Sequence, residues 1–247
     1  MSPDPAVLCA EGVSKRFGSV VALDRVSLDV RRGECVALIG ESGSGKTTLL
    51  RCFNRLTDPD EGRVLVDGAD AAGLDPIALR RRIGYVPQDG GLLPHWRVRR
   101  NVALVPWLRG TAGPEAGADR ALTLVGLEPE NFGHRWPGEL SGGQRQRIAV
   151  ARALAAEPDV VLLDEPFGAL DAITRADLQT TFREVRSELR LTALLVTHDL
   201  AEAFLLADRV AVMRAGALEQ VAPPPELLSA PATPYVDALL QRARMRP

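Results

Sequence analysis

Gly40-Glu41-Ser42-Gly43-Ser44-Gly45-Lys46-Thr47 is the stretch that decides the fold, because it fits the pattern G-x-x-x-x-G-K-[ST] at every fixed position. Glycines in such a loop let backbone N–H groups surround phosphate oxygens without clashes from Cβ atoms. Lys46 adds a mobile positive charge for the phosphates, and the Thr47 hydroxyl is placed to ligate Mg²⁺. We therefore assign phosphate binding to this whole stretch and to Thr48, which follows it.

The residues on either side of the loop supply the context that a phosphate site needs. Cys35–Ile39 is a short apolar run before it, and 46–56 is a helix-like stretch after it. We predict a strand, the loop and a helix in that order, with the positive end of the helix directed at the phosphates. A plain Gly/Ser surface loop is the alternative, and these flanking elements argue against it.

Other apolar runs indicate the class of fold. Val160–Leu163 and Ala193–Val196 lack alternation, which is typical of strands covered on both faces in a parallel sheet. Ala22–Val30 alternates between polar and apolar residues, as a half-buried strand does. We predict an α/β protein of the P-loop NTPase type, with a mostly parallel core sheet, an N-terminal antiparallel β part and an inserted helical subdomain.

The predicted organisation is one domain of 247 residues. Residues 1–88 and 158–222 form the nucleotide-binding core, 89–157 form the helical subdomain, and 223–247 form a C-terminal tail. The tail is shorter than the roughly 50 residues of a small independent domain. We therefore expect no built-in regulatory domain.

Two adjacent carboxylates, Asp164 and Glu165, follow the predicted strand Val160–Leu163. Open α/β sheets place ligands at the carboxyl ends of their strands. We predict that Asp164 holds Mg²⁺, directly or through water, and that Glu165 polarises the attacking water as a general base. The alternative is a solvated acidic turn, which the nearby phosphate loop makes the weaker interpretation.

A second anion site is predicted at Leu140-Ser141-Gly142-Gly143-Gln144, which precedes a helical stretch. Ser141 is a good N-cap residue, and two glycines beside a helix N-terminus form a nest of backbone N–H groups. A simple capped helix is the other interpretation of these residues taken alone.

The same pentapeptide is the signature motif of the ABC ATPase superfamily, and the chain resembles that superfamily over about residues 10–220. Phe17 is similar to the aromatic residue that stacks on adenine. Gln88 matches the glutamine that joins the core to the helical subdomain and senses the γ-phosphate, and His198 matches the switch histidine that contacts it. Gly168–Asp171 resembles the D-loop.

The resemblance implies an ATPase with a defined set of site residues. Its catalytic residues would be Glu165, His198 and Gln88. Its ATP-binding residues would be Phe17, the loop 40–48, and Ser141, Gly142, Gly143 and Gln144. Its Mg²⁺ ligands would be Thr47, Gln88 and Asp164. Two cassettes of this superfamily bind head to tail, so we expect a second copy of the chain as a partner.

The segment after Gln88 is similar to motors of glycine betaine, carnitine and choline importers. Asn101–Pro106 is the closest match, Phe53–Leu56 also fits, and Asp89-Gly90 and Trp96 depart from the pattern. The resemblance implies integral-membrane permease partners and, indirectly, an extracytoplasmic solute-binding protein. Leu92, Leu93, Pro94 and His95 are candidates for the permease contact, with ordinary packing of the subdomain as the alternative.

Composition sets limits on other functions. A net charge of −2 and a pI near 6.0 give no bulk attraction to nucleic acid, and we predict no nucleic-acid partner. No apolar run approaches the roughly 18–20 residues that span a bilayer, and residues 1–5 do not resemble a signal peptide. Three cysteines without C-x-x-C spacing favour packing roles in a reducing cytosol.

We therefore predict the motor of an importer at the cytoplasmic face of the membrane. The alternatives are an exporter motor with separate membrane subunits, a soluble ABC protein of translation or DNA repair, and an ATP-binding scaffold without turnover. The soluble proteins usually carry two cassettes or a long coiled coil. A scaffold would lack Glu165 or His198, and both are present.

Overall fold

The computed structural model describes residues 6–168 and 170–244, except for the side chains of 242–244. Two parts of the chain lie outside the described residues: residues 1–5, from which we predicted that no signal peptide is present, and Ala169 of the D-loop. The chain divides into two compact units. Unit 1 contains the residues up to Leu79 and those from Thr192 onward, and unit 2 is Arg80–Leu191.

Ten strands lie in the described ranges. They are β1 (Ala6–Phe17), β2 (Val20–Arg31), β3 (Cys35–Ile39), β4 (Glu61–Val66), β5 (Ala69–Asp70), β6 (Ile83–Val86), β7 (Val160–Asp164), β8 (Thr192–Val196), β9 (Arg209–Arg214) and β10 (Ala217–Ala222).

Eleven α-helices accompany them in the same ranges. They are α1 (Lys46–Phe53), α2 (Pro76–Arg82), α3 (Val98–Val102), α4 (Leu104–Leu108), α5 (Pro114–Leu124), α6 (Pro129–Phe132), α7 (Gly142–Leu154), α8 (Ala172–Leu189), α9 (Leu200–Leu206), α10 (Pro224–Ser229) and α11 (Pro234–Arg244).

Unit 1 contains two kinds of sheet. One is antiparallel, with the strand order β2-β1-β4-β5. In the other, β3 lies between β8 and β9 and is parallel to both, while β10 is antiparallel to β9. Every residue of β3 and β8 is buried, which explains why neither run alternates. The predicted fold class, including the N-terminal antiparallel part, is confirmed.

Unit 2 contains the parallel pair β6 and β7 and the helices from α3 to α8. The first three residues of its helix α7 belong to the signature, and the later turns pack in the core through Ile148, Ala149 and Ala151, none of which is exposed. We placed the helical subdomain at 89–157. The compact unit that holds its helices is wider, because it also takes in β6, β7 and α8.

The last two helices pack into unit 1. Leu227 on α10 and Val236 and Leu240 on α11 are buried in one cluster with Ala203 and Val210. Residues 223–247 were predicted as a tail. Their described part completes the core of unit 1, because each short helix presents an apolar face.

Two further expectations concern membrane spans and cysteines. No helix among residues 6–168 and 170–244 has both the length and the hydropathy needed to cross a bilayer. None of the three cysteines forms a disulfide bond; Cys35 and Cys52 are buried and Cys9 is partly buried. Burial raises the pKa of the Cys52 thiol to about 12, so this residue packs as a neutral group.

Candidate active site

The phosphate loop in unit 1 depends on two glycines that admit no side chain. A Cβ at Gly40 would collide with the carbonyl oxygen of Met213, and one at Gly45 would collide with that of Ala22. Their φ angles of 150° and 102° also lie where L-residues are strained. The close backbone neighbours and the left-handed angles therefore both require glycine here.

Lys46 begins α1 directly after this loop, and its side chain is buried. Its ammonium donates to the Gly40 carbonyl at 2.9 Å, to the Glu41 carbonyl at 2.8 Å and to Ser44 Oγ at 3.3 Å. The N-cap residue of α1 is Gly45, which has no side chain to cap the helix, and no acidic residue lies in the first turn. The N-terminus of α1 can therefore serve an anion.

His198, the predicted switch histidine, follows the strand that lies beside the one before the phosphate loop. Strands β3 and β8 are parallel and Leu38 pairs with Val196, so His198 follows β8 at the same sheet edge at which Gly40 follows β3. Thr197 N donates to the Leu38 carbonyl at 3.1 Å and fixes this exit. His198 is exposed, at the edge where the phosphate loop begins.

Phe17 ends β1 with 53% of its surface exposed, as a base-stacking residue requires. A residue that the sequence analysis missed fixes this end of the strand. Asp60 accepts from Lys15 Nζ and from Arg16 N, both at 2.7 Å, and these bonds hold the pKa of its carboxyl below the usual value. Lys15 Nζ lies 5.6 Å from the centroid of the Phe17 ring. Nothing in the local sequence marks Asp60.

Unit 2 brings Glu165 and Gln88, the predicted general base and the predicted γ-phosphate sensor, into contact. β7 ends at Asp164, which is 1% exposed, and Glu165 follows with a φ of 48°. Gln88 Nε2 donates to Glu165 Oε2 at 3.2 Å. A left-handed conformation is strained for glutamate, and such strain is common where a side chain must be aimed.

The signature at the start of α7 forms a capping box. Ser141 Oγ accepts from Gln144 N at 3.2 Å, and Gln144 Oε1 accepts from Ser141 N at 3.0 Å. A Cβ on Gly142 would meet nothing within 4 Å, whereas one on Gly143 would collide with Thr174 Cγ2. Packing within the chain therefore requires glycine at position 143 but not at position 142.

The D-loop ends beside this signature. Asp171 caps α8 by accepting from Thr174 N at 3.0 Å, and the hydrogen bonds with Thr174 hold the pKa of its carboxyl below the ordinary value. Thr174 is the residue that faces Gly143. Thr174 thus links the two features: its backbone N–H is bound by the N-cap of α8, and its side chain contacts the second signature glycine.

This difference between the two glycines gives a first prediction. We expect Gly143→Ala to lower the free energy of unfolding by about 1–3 kcal/mol through the contact with Thr174, and Gly142→Ala to leave it unchanged. Thr174→Ser removes the Cγ2 atom and should restore stability to Gly143→Ala. Urea unfolding of the four proteins measures this, and equal destabilisation by the two alanine substitutions would contradict it.

The class of protein follows from these local sites. A glycine loop between a buried strand and a helix, with a buried aspartate at the end of another strand, defines a P-loop nucleotide-binding protein. The model of the ABC transporter family matches residues 23–168, and the chain belongs to that family.

Curated relatives are similar over most of the chain. It is 46% identical to the glycine betaine/carnitine/choline transport ATP-binding protein OpuCA of Bacillus subtilis, over 97% of this chain and 63% of that protein. It is also 46% identical to the sulfate/thiosulfate import ATP-binding protein CysA of Thermosynechococcus vestitus, over 92% of this chain and 67% of the relative. The resemblance that the motifs predicted is confirmed.

A solved structure shows the same fold. The dimeric structure of MJ0796, a bacterial ABC transporter cassette, has a TM-score of 0.79 and 34% identity, over 87% of this chain and 98% of that one. A second structure of MJ0796, a dimeric post-hydrolysis state bound to ADP and Pi, also has a TM-score of 0.79.

Proposed function

We propose that this chain hydrolyses ATP to drive solute import, as the nucleotide-binding subunit of an ABC transporter for quaternary-amine osmoprotectants. The observation that carries the proposal is the Glu165 carboxylate, which follows the buried Asp164 and accepts a hydrogen bond from Gln88. Family membership and the phosphate loop supply the substrate class, and this carboxylate supplies the group that activates water.

Each site residue has a role in the proposed reaction. The loop 40–48 holds the phosphates, and Phe17 stacks on the base. Glu165 accepts a proton from the water that attacks the γ-phosphorus, and His198 donates a hydrogen bond to the γ-phosphate. These groups act mainly by positioning and by electrostatic stabilisation of the transferred phosphoryl group.

A Mg²⁺ ion fits the donors that the chain offers. Thr47, Gln88 and Asp164 present a hydroxyl, an amide oxygen and a carboxylate, which are the hard oxygen ligands that this ion prefers. No group of three His, Cys, Asp or Glu residues in the described part of the chain could hold a metal alone. The ion would be bound by one carboxylate together with the substrate's phosphates, whose negative charge it would neutralise.

A second copy of the chain would complete the site. Gly142 is exposed and unrestricted, at a helix N-terminus that can face a phosphate. The dimeric MJ0796 structures support pairing of cassettes. In the proposed pair, residues 141–144 of one copy close over ATP held by the loop 40–48 of the other.

Permease subunits would dock on a cleft of unit 2. It has a volume of about 370 Å³ and is lined by Trp96, Arg97, Arg100 and Trp107, among others. Trp107 is 61% exposed, and the Arg100 guanidinium lies 4.1 Å from the centroid of the Trp96 ring. The lining combines two tryptophan rings with three guanidinium groups and one carboxylate, Glu115, so its positive charge suits a short helix that carries an acidic residue.

Residues 92–95, the predicted permease contacts, directly precede Trp96, which lines this cleft. Pro94 and His95 are exposed, while Leu92 and Leu93 are only partly so. Leu93 is also held through its backbone by Asn101. Docking is therefore proposed for Pro94 and His95, and packing within unit 2 for Leu93. The transporter would place the chain at the cytoplasmic face of the membrane, with a solute-binding protein outside.

The solute assignment rests on the match of Asn101–Pro106 and on the name of OpuCA, because CysA is equally identical and is named for sulfate. We expect glycine betaine or choline to stimulate ATP hydrolysis several-fold when the chain is reconstituted with its permease and binding protein. Phosphate release in proteoliposomes measures this, with sulfate as the control solute. Stimulation by sulfate alone would exclude the osmoprotectant and keep the importer.

A further inference from the structure

The segment that follows Gln88 is held to the rest of unit 2 by two side chains. Asn101, which is 0% exposed, donates to the Leu93 carbonyl at 3.0 Å and the Trp96 carbonyl at 2.9 Å. Arg152 donates to the Gly91 carbonyl at 2.6 Å and to the Gly90 carbonyl at 2.7 Å. Asn101 fixes the far end of the segment, and Arg152 fixes the end next to Gln88.

Arg152 reaches this segment from α7, the helix that begins at the signature. Its guanidinium is partly buried and desolvated, which lowers its pKa from the ordinary value, and the nearby Asp89 opposes that effect. An arginine stays charged in proteins, so the desolvated cation depends on its acceptors. Hydrogen bonds from a charged donor are about twice as strong as neutral ones.

The acceptors of Arg152 belong to a turn that contains Gln88. Gly90 N donates to the Pro87 carbonyl at 2.9 Å and closes the turn around Gln88 and Asp89. Gly90 and Gly91 have φ angles of 73° and 58°, which set the course of the chain at the two carbonyls that accept from Arg152. The hydrogen bonds of Arg152 thus fix the exit of the turn that presents Gln88 to Glu165.

We propose that Arg152 is a positioning residue for ATP hydrolysis, which acts by holding the Pro87–Gly90 turn so that Gln88 reaches Glu165. The inference rests on the proposed ATPase function. Because Arg152 lies on α7, it also joins this turn to the helix whose first residues are the signature.

The first test separates turnover from binding. We expect Arg152→Met to lower kcat about tenfold or more, since small displacements of catalytic groups have effects of that order. KM for ATP should change less than threefold, because the phosphate loop is untouched. Arg152→Lys, which keeps the charge and can reach a carbonyl, should recover part of kcat.

Arg109→Met is the matched control. Arg109 also donates from a guanidinium to a backbone carbonyl of unit 2, that of Ala156 at 2.7 Å, which lies outside the Gln88 turn. Amide hydrogen exchange should speed up in residues 88–93 of Arg152→Met and not of Arg109→Met. If exchange in residues 88–93 is the same in Arg152→Met as in the unmodified chain, the proposal is contradicted, even when the substitution lowers the stability of the fold.

A double-mutant cycle tests the route through Gln88. If Arg152 acts through this side chain, Gln88→Ala with Arg152→Met should be no slower than Gln88→Ala alone. If the loss of kcat in the double variant instead equals the product of the losses in the two single variants, Arg152 only stabilises the fold. If the unmodified chain releases no phosphate, the proposed function fails. If the unmodified chain does release phosphate and Arg152→Met has the same kcat, only the inference about Arg152 fails.

Discussion

Replacement of Glu165 with glutamine should abolish ATP turnover and leave ATP binding intact. The amide keeps the size of the side chain and can still meet Gln88, but it cannot accept a proton from water. Loss of a general base lowers the rate by about 10²–10⁴-fold. Since Lys46, Thr47 and Asp164 are unchanged, ATP-bound pairs of the chain should accumulate. Phosphate release and size-exclusion chromatography with ATP measure the two effects.

Glu157→Gln is a matched control for this substitution. Glu157 has a φ of 49°, close to the 48° of Glu165, and lies in the same unit. It pairs with Arg120 on the surface and takes no part in the proposed site. We expect it to hydrolyse ATP like the unmodified chain. If Glu165→Gln does so as well, the role assigned to Glu165 is wrong.

Ser141→Arg should have the second large effect. The substitution removes the hydroxyl that caps α7 and places a long cation in the exposed signature. We expect hydrolysis to fall by about 10²–10³-fold, the order found when a donor to a transition-state oxyanion is lost. The affinity of a single copy for ATP should stay the same, because it depends on the phosphate loop.

Ser141→Ala separates the two consequences of that change. It removes the cap, at a cost of about 1 kcal/mol in stability, without adding bulk. Its hydrolysis should lie between that of the unmodified chain and that of Ser141→Arg. Titration with a fluorescent ATP analogue measures the affinity of the single copy, and its loss in Ser141→Arg would place the signature in the same copy's primary site.

The buried strands were predicted well because their signal is local. Cys35–Ile39 matches β3 in both bounds, and Val160–Leu163 and Ala193–Val196 each fall one residue short of β7 and β8. A continuous apolar run that ends in glycine or carboxylate residues is evident without knowledge of its neighbours. The phosphate loop lies between a strand and a helix as predicted, although α1 ends at Phe53 rather than at residue 56.

Other elements were missed because their signal is weak or distant. Helix α8 has 18 residues but buries only Leu178, Gln179, Phe182 and Val185, so its apolar stripe is narrow. Asp171 at its N-cap was the available signal. The contacts of Arg152 with the Gln88 turn and of Thr174 with Gly143 join distant parts of the chain. Periodicity cannot predict such contacts. The roles of the site residues stay predictions.

The most direct test of the account mixes two inactive variants, Lys46→Ala and Ser141→Arg, with different affinity tags so that mixed pairs can be isolated. In a head-to-tail pair, one of the two sites then combines the intact loop of one copy with the intact signature of the other. Random pairing makes half of the pairs mixed, so we predict about a quarter of the normal phosphate release from the whole mixture and about half from the isolated mixed pairs. Mixed pairs that form and release no more phosphate than the separate variants would contradict a site shared between two copies.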